Sequence, residues 1–453
     1  MAPLTALARG ALAAILFATA ICPAMAQSPT QETLPNGVTL ILSPNTRSNV
    51  VGMEIVSRVG TRYEEPEEAG LAALTLRVVM DGAGSQTGAT LSEWFEDRGA
   101  TVEARTHPDY SEIGSDVMAS DFPKMAHLLA DLATHASLSL GSFQSEQRST
   151  VQLLQSEGND DEAATYRSLR TLLADGTAYG RSETGLASTV SKLTPHDVHA
   201  FYEKMFAPDE LIVAVSGRFD ASDGARLLRS LFGAIPAQPA APAAPALKTV
   251  VVEPSSMVLA GTGDAAWIMV GYLTPGVKSP DYPALAVLNA LLGGSSSGSI
   301  TSLFRDQNGV YDSGSFIQPF ADQTHIVGYV RADPLLWDQD QQKLQPLVDQ
   351  YQKQLLGAFE AIRDHGVTEE QVEVARAYVA GQYLQAREHN RGYAGYLGWY
   401  DAIGLGPGFD SRFLDEVRKV TPDQIARIAR TCFAAGLGAT VVMLPRPQSD
   451  EGP

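Results

Sequence analysis

Cysteine is nearly absent from this chain: Cys22 and Cys432 are the only two. They are too few and too far apart for a thiolate zinc site, and neither stands in the setting of a catalytic nucleophile. Positive charge is also scarce. Against 52 Asp and Glu there are 33 Lys and Arg, a formal charge of −19 at pH 7. That balance disfavours nucleic acid and anionic lipid as partners and is compatible with cationic peptides. Past the N-terminus no apolar run reaches the roughly 20 residues that a membrane-spanning helix requires. What remains is ordinary globular composition, 44% hydrophobic and 19% charged over 453 residues, enough for two to four domains.

The first 26 residues have the form of a secretory signal. Arg9 supplies a thin basic start, Ala11 to Ile21 is apolar, and Ala24-Met25-Ala26 is a small-x-small cleavage site before Gln27. The apolar run is too short for an anchor helix. Ile21 is too bulky before Cys22 for lipid attachment. Cleavage leaves Cys432 alone, so no internal disulfide forms, and an exported protein without disulfides points to a bacterial periplasm.

Gly233 to Lys248 reads GAIPAQPAAPAAPALK. Prolines at this density prevent a regular helix or a central strand, which predicts an extended linker. It divides the mature chain into 27–232 and 249–450. The two halves echo one another. Leu193-Thr-Pro-His-Asp-Val and Val420-Thr-Pro-Asp-Gln-Ile each offer a Thr cap and a Pro at the first helical position. Phe206 and Phe433 each follow that Thr by 12 residues, and then come the apolar runs Leu211–Val215 and Thr440–Leu444. Strand-like Val51–Ser57 and Trp267–Leu273 lead into helices at Gly70–Met80 and Tyr282–Leu292. Amphipathic helices are expected at Phe122–Leu132 and Thr368–Leu384. Matches in the same order, offset by about 210–230 residues, indicate duplication of an α+β unit.

The run Gly60 to Met80, GTRYEEPEEAGLAALTLRVVM, carries the chemistry of the first half. It resembles the signature of the pitrilysin/insulinase (M16) zinc peptidases, in which Gly-Ser-Arg-x-Glu leads through a Gly into a helix bearing His-x-x-Glu-His. Gly60, Arg62, Glu64 and Gly70 fit the frame. The positions of His, Glu and His hold Ala73, Leu76 and Arg77. A methyl and an isobutyl group do not bind zinc, and a guanidinium has no lone pair to give. The family's third ligand is a Glu roughly 75 residues beyond the second His. Counting from Arg77 reaches Gln152, Leu153 and Leu154, with Glu146 and Glu157 off register. His196 and His199 stand i, i+3 on a helix, but with no third ligand they are expected to be solvated.

In the second half, Leu291 to Tyr311 resembles the M16 segment of a glycine loop followed by an Arg and a Tyr. The resemblance implies that Arg305, Tyr311 and the loop glycines Gly293, Gly294 and Gly298 hold the backbone of a peptide substrate. Tyr311 stands two residues after Gly309 instead of the family's three. The fold implied is two homologous M16-like α+β domains, each an antiparallel sheet covered by helices, enclosing a cavity. The function implied is a non-catalytic subunit, without a metal of its own, pairing with a zinc-bearing M16 homologue that keeps His-x-x-Glu-His. A peptide-binding scaffold with no proteolytic partner, and a self-sufficient peptidase, are the alternatives.

Overall fold

A computed structural model describes residues 28–156, 160–238, 255–307, 309–332, 341–434 and 437–445, without the side chains of 341–344. The stretch read as a signal, 1–26, and the expected linker from 239 onward lie outside the described residues.

The first half builds one sheet from β1 (Thr30–Thr33), β2 (Thr39–Pro44), β3 (Val50–Ser57), β6 (Glu103–Thr106), β7 (Ser111–Met118) and β8 (Leu211–Gly217). Between them lie the small ribbon β4 (Gly82–Ala83) and β5 (Gln86–Thr87) and the helices α1 (Leu71–Met80), α2 (Gly88–Glu96), α3 (Phe122–Thr134), α4 (Leu140–Ser156), α5 (Asp161–Ala174), α6 (Ala187–Val190) and α7 (Pro195–Met205), with α8 (Ala221–Phe232) after β8. The second half forms its sheet from β9 (Ser255–Ala260), β10 (Ala266–Pro275), β11 (Val310–Pro319), β12 (Gln323–Ala332) and β13 (Gly438–Leu444). Its helices are α9 (Tyr282–Asn289), α10 (Ser299–Phe304), α11 (Gln341–His365), α12 (Glu369–Gln385), α13 (Asn390–Ala402), α14 (Phe409–Lys419) and α15 (Pro422–Cys432).

The strand orders coincide. Apart from β1, the order β2-β8-β3-β7-β6 in one sheet answers to β9-β13-β10-β12-β11 in the other. Both sheets are mainly antiparallel, with one parallel pair each, β2 beside β8 and β9 beside β13. The last strand of each half returns from a long helical crossover and inserts between the first two, which sets that direction. The repeated Thr-Pro starts are real caps: Thr194 accepts from the amide of Asp197 and Thr421 from that of Gln424, each in a reciprocal capping box with Pro behind it. The helix at 368–384 differs from its expected amphipathic form, because α12 leaves Val374, Tyr378 and Leu384 exposed.

Each sheet packs its own helices on one face and a helix from the other half on the opposite face. Leu169 and Leu173 of α5 pack on Trp267, Met269, Val327 and Val441. Ala394 and Leu397 of α13 pack on Ile41, Val56, Ile212 and Ala214. Burial on both faces explains why β3 and β8 are continuous apolar runs instead of alternating ones. The first residue of each exchanged helix grips a strand turn of its host. Asp161 accepts from the amides of Thr262 at 3.0 Å and Gly263 at 2.8 Å. Asn390 donates to the Val50 carbonyl at 2.8 Å and accepts from Asn45 at 3.0 Å.

The two halves can be placed in register. Phe206 and Phe433 close α7 and α15, and Leu211 and Gly438 follow each by five residues. Leu211 pairs with Ser57 and Gly438 with Tyr272. Ser57 therefore answers to Tyr272, Val56 to Gly271 and Glu54 to Met269. Where the helices cross, size is traded across the contact. A Cβ on Gly398 of α13 would lie 2.6 Å from Val56, and one on Gly271 would lie 3.0 Å from Leu169 of α5. One half puts the glycine on the helix, the other on the strand. Gly398→Leu is expected to cost about 1–3 kcal/mol by overpacking. Adding Val56→Gly, which copies the other half, is expected to recover part of that loss through a coupling of about 0.5–3 kcal/mol. Urea unfolding of the two single variants and the double variant measures it; strictly additive losses would show that the contact is not shared.

Candidate functional site

The preserved frame around α1 is structural. A Cβ on Gly60 would lie 2.3 Å from the His107 carbonyl, so only glycine lets this loop meet the β6–β7 hairpin. Arg62 reaches across the halves, donating to Asp109 and Asp322 at 2.8 Å each and to the Tyr179 hydroxyl at 3.1 Å. Asp109 also accepts from Tyr179 at 2.6 Å and from the amide of Ala321 at 2.8 Å, and Tyr179 stacks on Phe320 at 4.6 Å. Glu64 caps α1, accepting from the amides of Ala72 at 2.7 Å and Gly70 at 3.2 Å. Its burial pushes the carboxyl up to about 8, against the lowering effect of those amides. Gly70 has φ of +99°, open to glycine at little cost, and a Cβ there would meet the Thr184 carbonyl at 2.6 Å.

Held by this frame, α1 turns Ala73, Leu76 and Arg77 to a cavity of about 680 Å³. Its other walls come from the start of α2, from β6 and from α4, and its lining includes Arg105, His107, Glu146 and Glu183. Leu76 is buried and Arg77 half-buried. The Arg77 guanidinium stands 3.8 Å from the Glu146 carboxylate of α4. Burial raises the Glu146 carboxyl above the usual range, and Arg77 pulls it back. Glu146 is off the register that a count along the chain gives. It precedes Leu153 by seven residues, about two turns and 10 Å of α4, so it lies on nearly the same side of that helix. Glu146 thus sets a carboxylate across the cavity from Arg77, two helical turns before the stretch in which the family's third ligand is expected.

The second segment lies elsewhere. All residues lining the α1 cavity fall between 73 and 184, so Arg305 and Tyr311 are not among them. Arg305 follows α10 and donates to the Ser296 carbonyl of its own loop. Tyr311 is exposed on β11, where the register with β12 shifts, and the Arg331 guanidinium lies 5.6 Å from its ring centre. The loop glycines serve close approach. A Cβ on Gly293 would lie 2.7 Å from the Ser315 amide, one on Gly294 would lie 2.4 Å from the Asn289 side chain, and one on Gly298 would lie 2.6 Å from Gly293. Tyr378 of α12 donates to the Gly294 carbonyl at 2.7 Å. Gly294 to Gly298 has the Gly-x-Ser-x-Gly spacing of a hydrolase elbow, but it follows a helical turn at Ala290–Gly294 and not a strand.

Comparison with known proteins agrees with this architecture. Residues 38–184 match the family described as insulinase, peptidase family M16, and residues 192–379 match the peptidase M16 inactive domain. The chain belongs to the M16 peptidase family. Among its relatives is an uncharacterized zinc protease of Mycobacterium leprae, 23% identical over 418 residues and covering 91% of each chain. Human cytochrome b-c1 complex subunit 1 is 22% identical over 238 residues, 52% of this chain and 49% of that one. In solved structures, the fold is similar to a peptidase M16 inactive domain from Pseudomonas fluorescens, with TM-score 0.81, 16% identity, and 94% and 100% of the two chains covered. It is also similar to a periplasmic protease of Escherichia coli, with TM-score 0.71, 15% identity, and 93% of this chain but 46% of that one covered.

Zinc does not fit the residues this M16 chain presents at α1. The two histidine positions hold Ala73 and Arg77, and the carboxylate nearest them across the cavity, Glu146, stands against the permanent cation of Arg77. Among the described residues no cluster of three His, Cys, Asp or Glu is placed to hold a metal. His196 and His199 are exposed, and His199 faces Glu203 at 3.6 Å. The backbone of the site is nonetheless kept. Ala73→His with Arg77→His is expected to create a zinc site with Glu146 as third ligand, read as one zinc per chain by metal analysis. Adding Glu146→Gln is expected to abolish it; retention of zinc in that triple variant would rule Glu146 out. Glu64→Ala is expected to cost about 1–2 kcal/mol of stability through loss of the α1 cap, measured by urea unfolding without any effect on the Arg77 side of the cavity.

Proposed function

We propose that this protein is a non-catalytic M16 subunit that pairs with a zinc-bearing M16 homologue in the periplasm and helps bind the peptide substrate. The observation that carries it is the Arg77–Glu146 ion pair within an otherwise intact site frame. A cation that cannot leave faces the position of a metal ligand, while the loop, the cap and the contacts between halves remain. Selection on the shape of the site without its chemistry is what a supporting subunit requires. The signal-like N-terminus and the likeness to a periplasmic protease support the location. The partner would carry His-x-x-Glu-His and the zinc. This chain would contribute Arg305, whose guanidinium presents a rigid fork of donors to a peptide carbonyl, with Tyr311 and the Gly293, Gly294 and Gly298 loop beside it. A scaffold role without proteolysis is the second reading, favoured by the likeness to the cytochrome b-c1 subunit.

Mixing the protein with an M16 homologue of the same organism that keeps the zinc motif separates the two. A complex on size-exclusion chromatography, with chelator-sensitive peptidase activity that neither chain shows alone, is the expected result. Arg305→Ala is expected to lower that activity about 30- to 150-fold, the equivalent of about 2–3 kcal/mol for one charged contact, without releasing the partner or its zinc. A homologue that is fully active alone and forms no complex would leave the scaffold reading in place.

A further inference from the structure

The face of the first sheet that receives α13 is not sealed along its length. Between β6–β7, the β11–β12 hairpin and α13 lies a cleft of about 640 Å³. In the second half the corresponding face is filled. Met269 and Val327 pack under α5, and Tyr329 covers the strand beside them. By the register of the strands, Met269 answers to Glu54, Tyr329 to Gly114 and Val327 to Glu112. Three apolar or aromatic positions of the repeat have become two carboxylates and a glycine. The fold does not need them, since its other copy packs the same place with hydrocarbon.

Glu54 is 4% exposed and lies on the sheet over Gly114, where a Cβ would collide with its carboxylate. One of its oxygens accepts from Arg391 Nε at 2.6 Å. The other, Oε2, is buried without a hydrogen-bond partner among the described residues. A buried carboxylate oxygen left open costs about 1–3 kcal/mol or more. Around it the cleft carries Glu112, Glu103 and Asp116, with Asp109 already taken by Arg62 and Tyr179. The cations present are largely committed: Arg105 donates to Glu103 at 2.6 Å, and Arg391 is held by Glu54 and lies 3.5 Å from Glu103. His107 meets Glu112 at 3.3 Å and stacks on Tyr110 at 4.2 Å. Tyr110, Tyr396 and Trp399 supply aromatic walls, with Trp399 6.3 Å from Tyr110 and 6.2 Å from Tyr396 between ring centres.

We propose that this cleft between the halves binds an organic cation, an alkylammonium or guanidinium group, on a floor of Glu54 and Glu112 and against a wall formed by the rings of Tyr110, Tyr396 and Trp399. Burial and the neighbouring Glu112 push the Glu54 carboxyl up to about 8, so Glu112 takes the charge through a charge-assisted hydrogen bond, Glu54 adds an acceptor oxygen, and aromatic faces take the alkyl stem and the edge of the cation. The site rests on the first half's departure from its own repeat and not on a peptidase partner, so it stands or falls apart from the function proposed above.

The test uses the full mature chain alone. Trp399 lines the cleft, so tryptophan fluorescence, checked by calorimetry, follows the titration. The probes are an N-acetylated, C-amidated tetrapeptide with one lysine, the same capped peptide with norleucine in place of lysine, and spermidine. Saturable binding of the lysine peptide or of spermidine, weakened by salt, with none by the norleucine peptide, is the expected result. The tighter of the two distinguishes a basic peptide side chain from a free polyamine. Glu112→Gln is expected to weaken binding about tenfold or more with the circular dichroism unchanged. Glu54→Gln, of the same shape, is the second variant, so the outcome does not depend on one of them folding. Failure of both cationic probes to bind at millimolar concentration, or equal binding by wild type and both folded variants, would overturn the proposal.

Discussion

Everything in this molecule depends on the exchange of one helix between its halves. A sheet whose central strands are apolar on both faces cannot stand with one face in water. Each half leaves one face open, and each closes it with a helix grown by the other: α5 on the second sheet, α13 on the first. Each half has a core of its own on one face of its sheet and completes the other face with the partner half's helix, so hydrophobic burial sets the relative placement of the two. The polar contacts then set the register. Asp161 and Asn390 hold the two helix starts, while Arg62, Asp109, Tyr179 and Asp322 lock the hairpin tips against each other.

That dependence explains the pattern of what is kept and lost around α1. Gly60, Arg62, Glu64 and Gly70 belong to the joint between the halves and to the helix cap. Their loss would open buried polar groups or force a backbone clash, at a cost that does not depend on catalysis. Ala73 and Arg77 face a cavity, and their side chains support nothing in the core. Leu76 is buried, and an apolar group is the cheaper occupant of its position once no water has to be activated. The frame of an M16 site can thus outlast its ligands, because stability holds the one and only chemistry holds the other.

The sequence showed a large part of this, for reasons that can be named. Capping boxes, the Thr-Pro starts and the apolar runs of β3, β8, β10 and β13 are local signals, and they placed the duplication and the fold class. The helix exchange was not legible, because nothing local in α5 and α13 says that their hosts lie elsewhere in the chain. The contact of Arg77 with Glu146 was not legible for a similar reason, because it joins two helices, α1 and α4, whose relative placement the sequence does not state. Arg305 and Tyr311 came from resemblance, and their surroundings, a loop carbonyl and the Arg331 guanidinium, show how they are held in this chain without a substrate. The cleft between the halves did leave one signal. Glu54 interrupts the run Val-Val-Gly-Met-Glu-Ile-Val, and a single acid in a strand buried on both faces calls for a partner or a purpose.

Duplication turns that signal into an argument. In a repeated fold each half serves as the control for the other, since the same packing problem is solved twice in one molecule. Where both solutions are apolar and trade size, as at Val56 with Gly398 and Gly271 with Leu169, the difference is explained by packing alone. Where one half is hydrocarbon and the other buries a carboxylate, packing explains only the first. Replacing Met269 and Val327 by acids loses burial of apolar area and adds desolvation of charge, and Arg391 meets only one oxygen of Glu54. The same comparison applies to the M16 motif, whose helix α1 answers to α9 in the other half. The asymmetries that stability cannot account for, Arg77 with Glu146 on one face of the first sheet and Glu54 with Glu112 on the other, both lie beside the edge strand β6. The first half, and that edge in particular, is where this chain departs from what its fold requires.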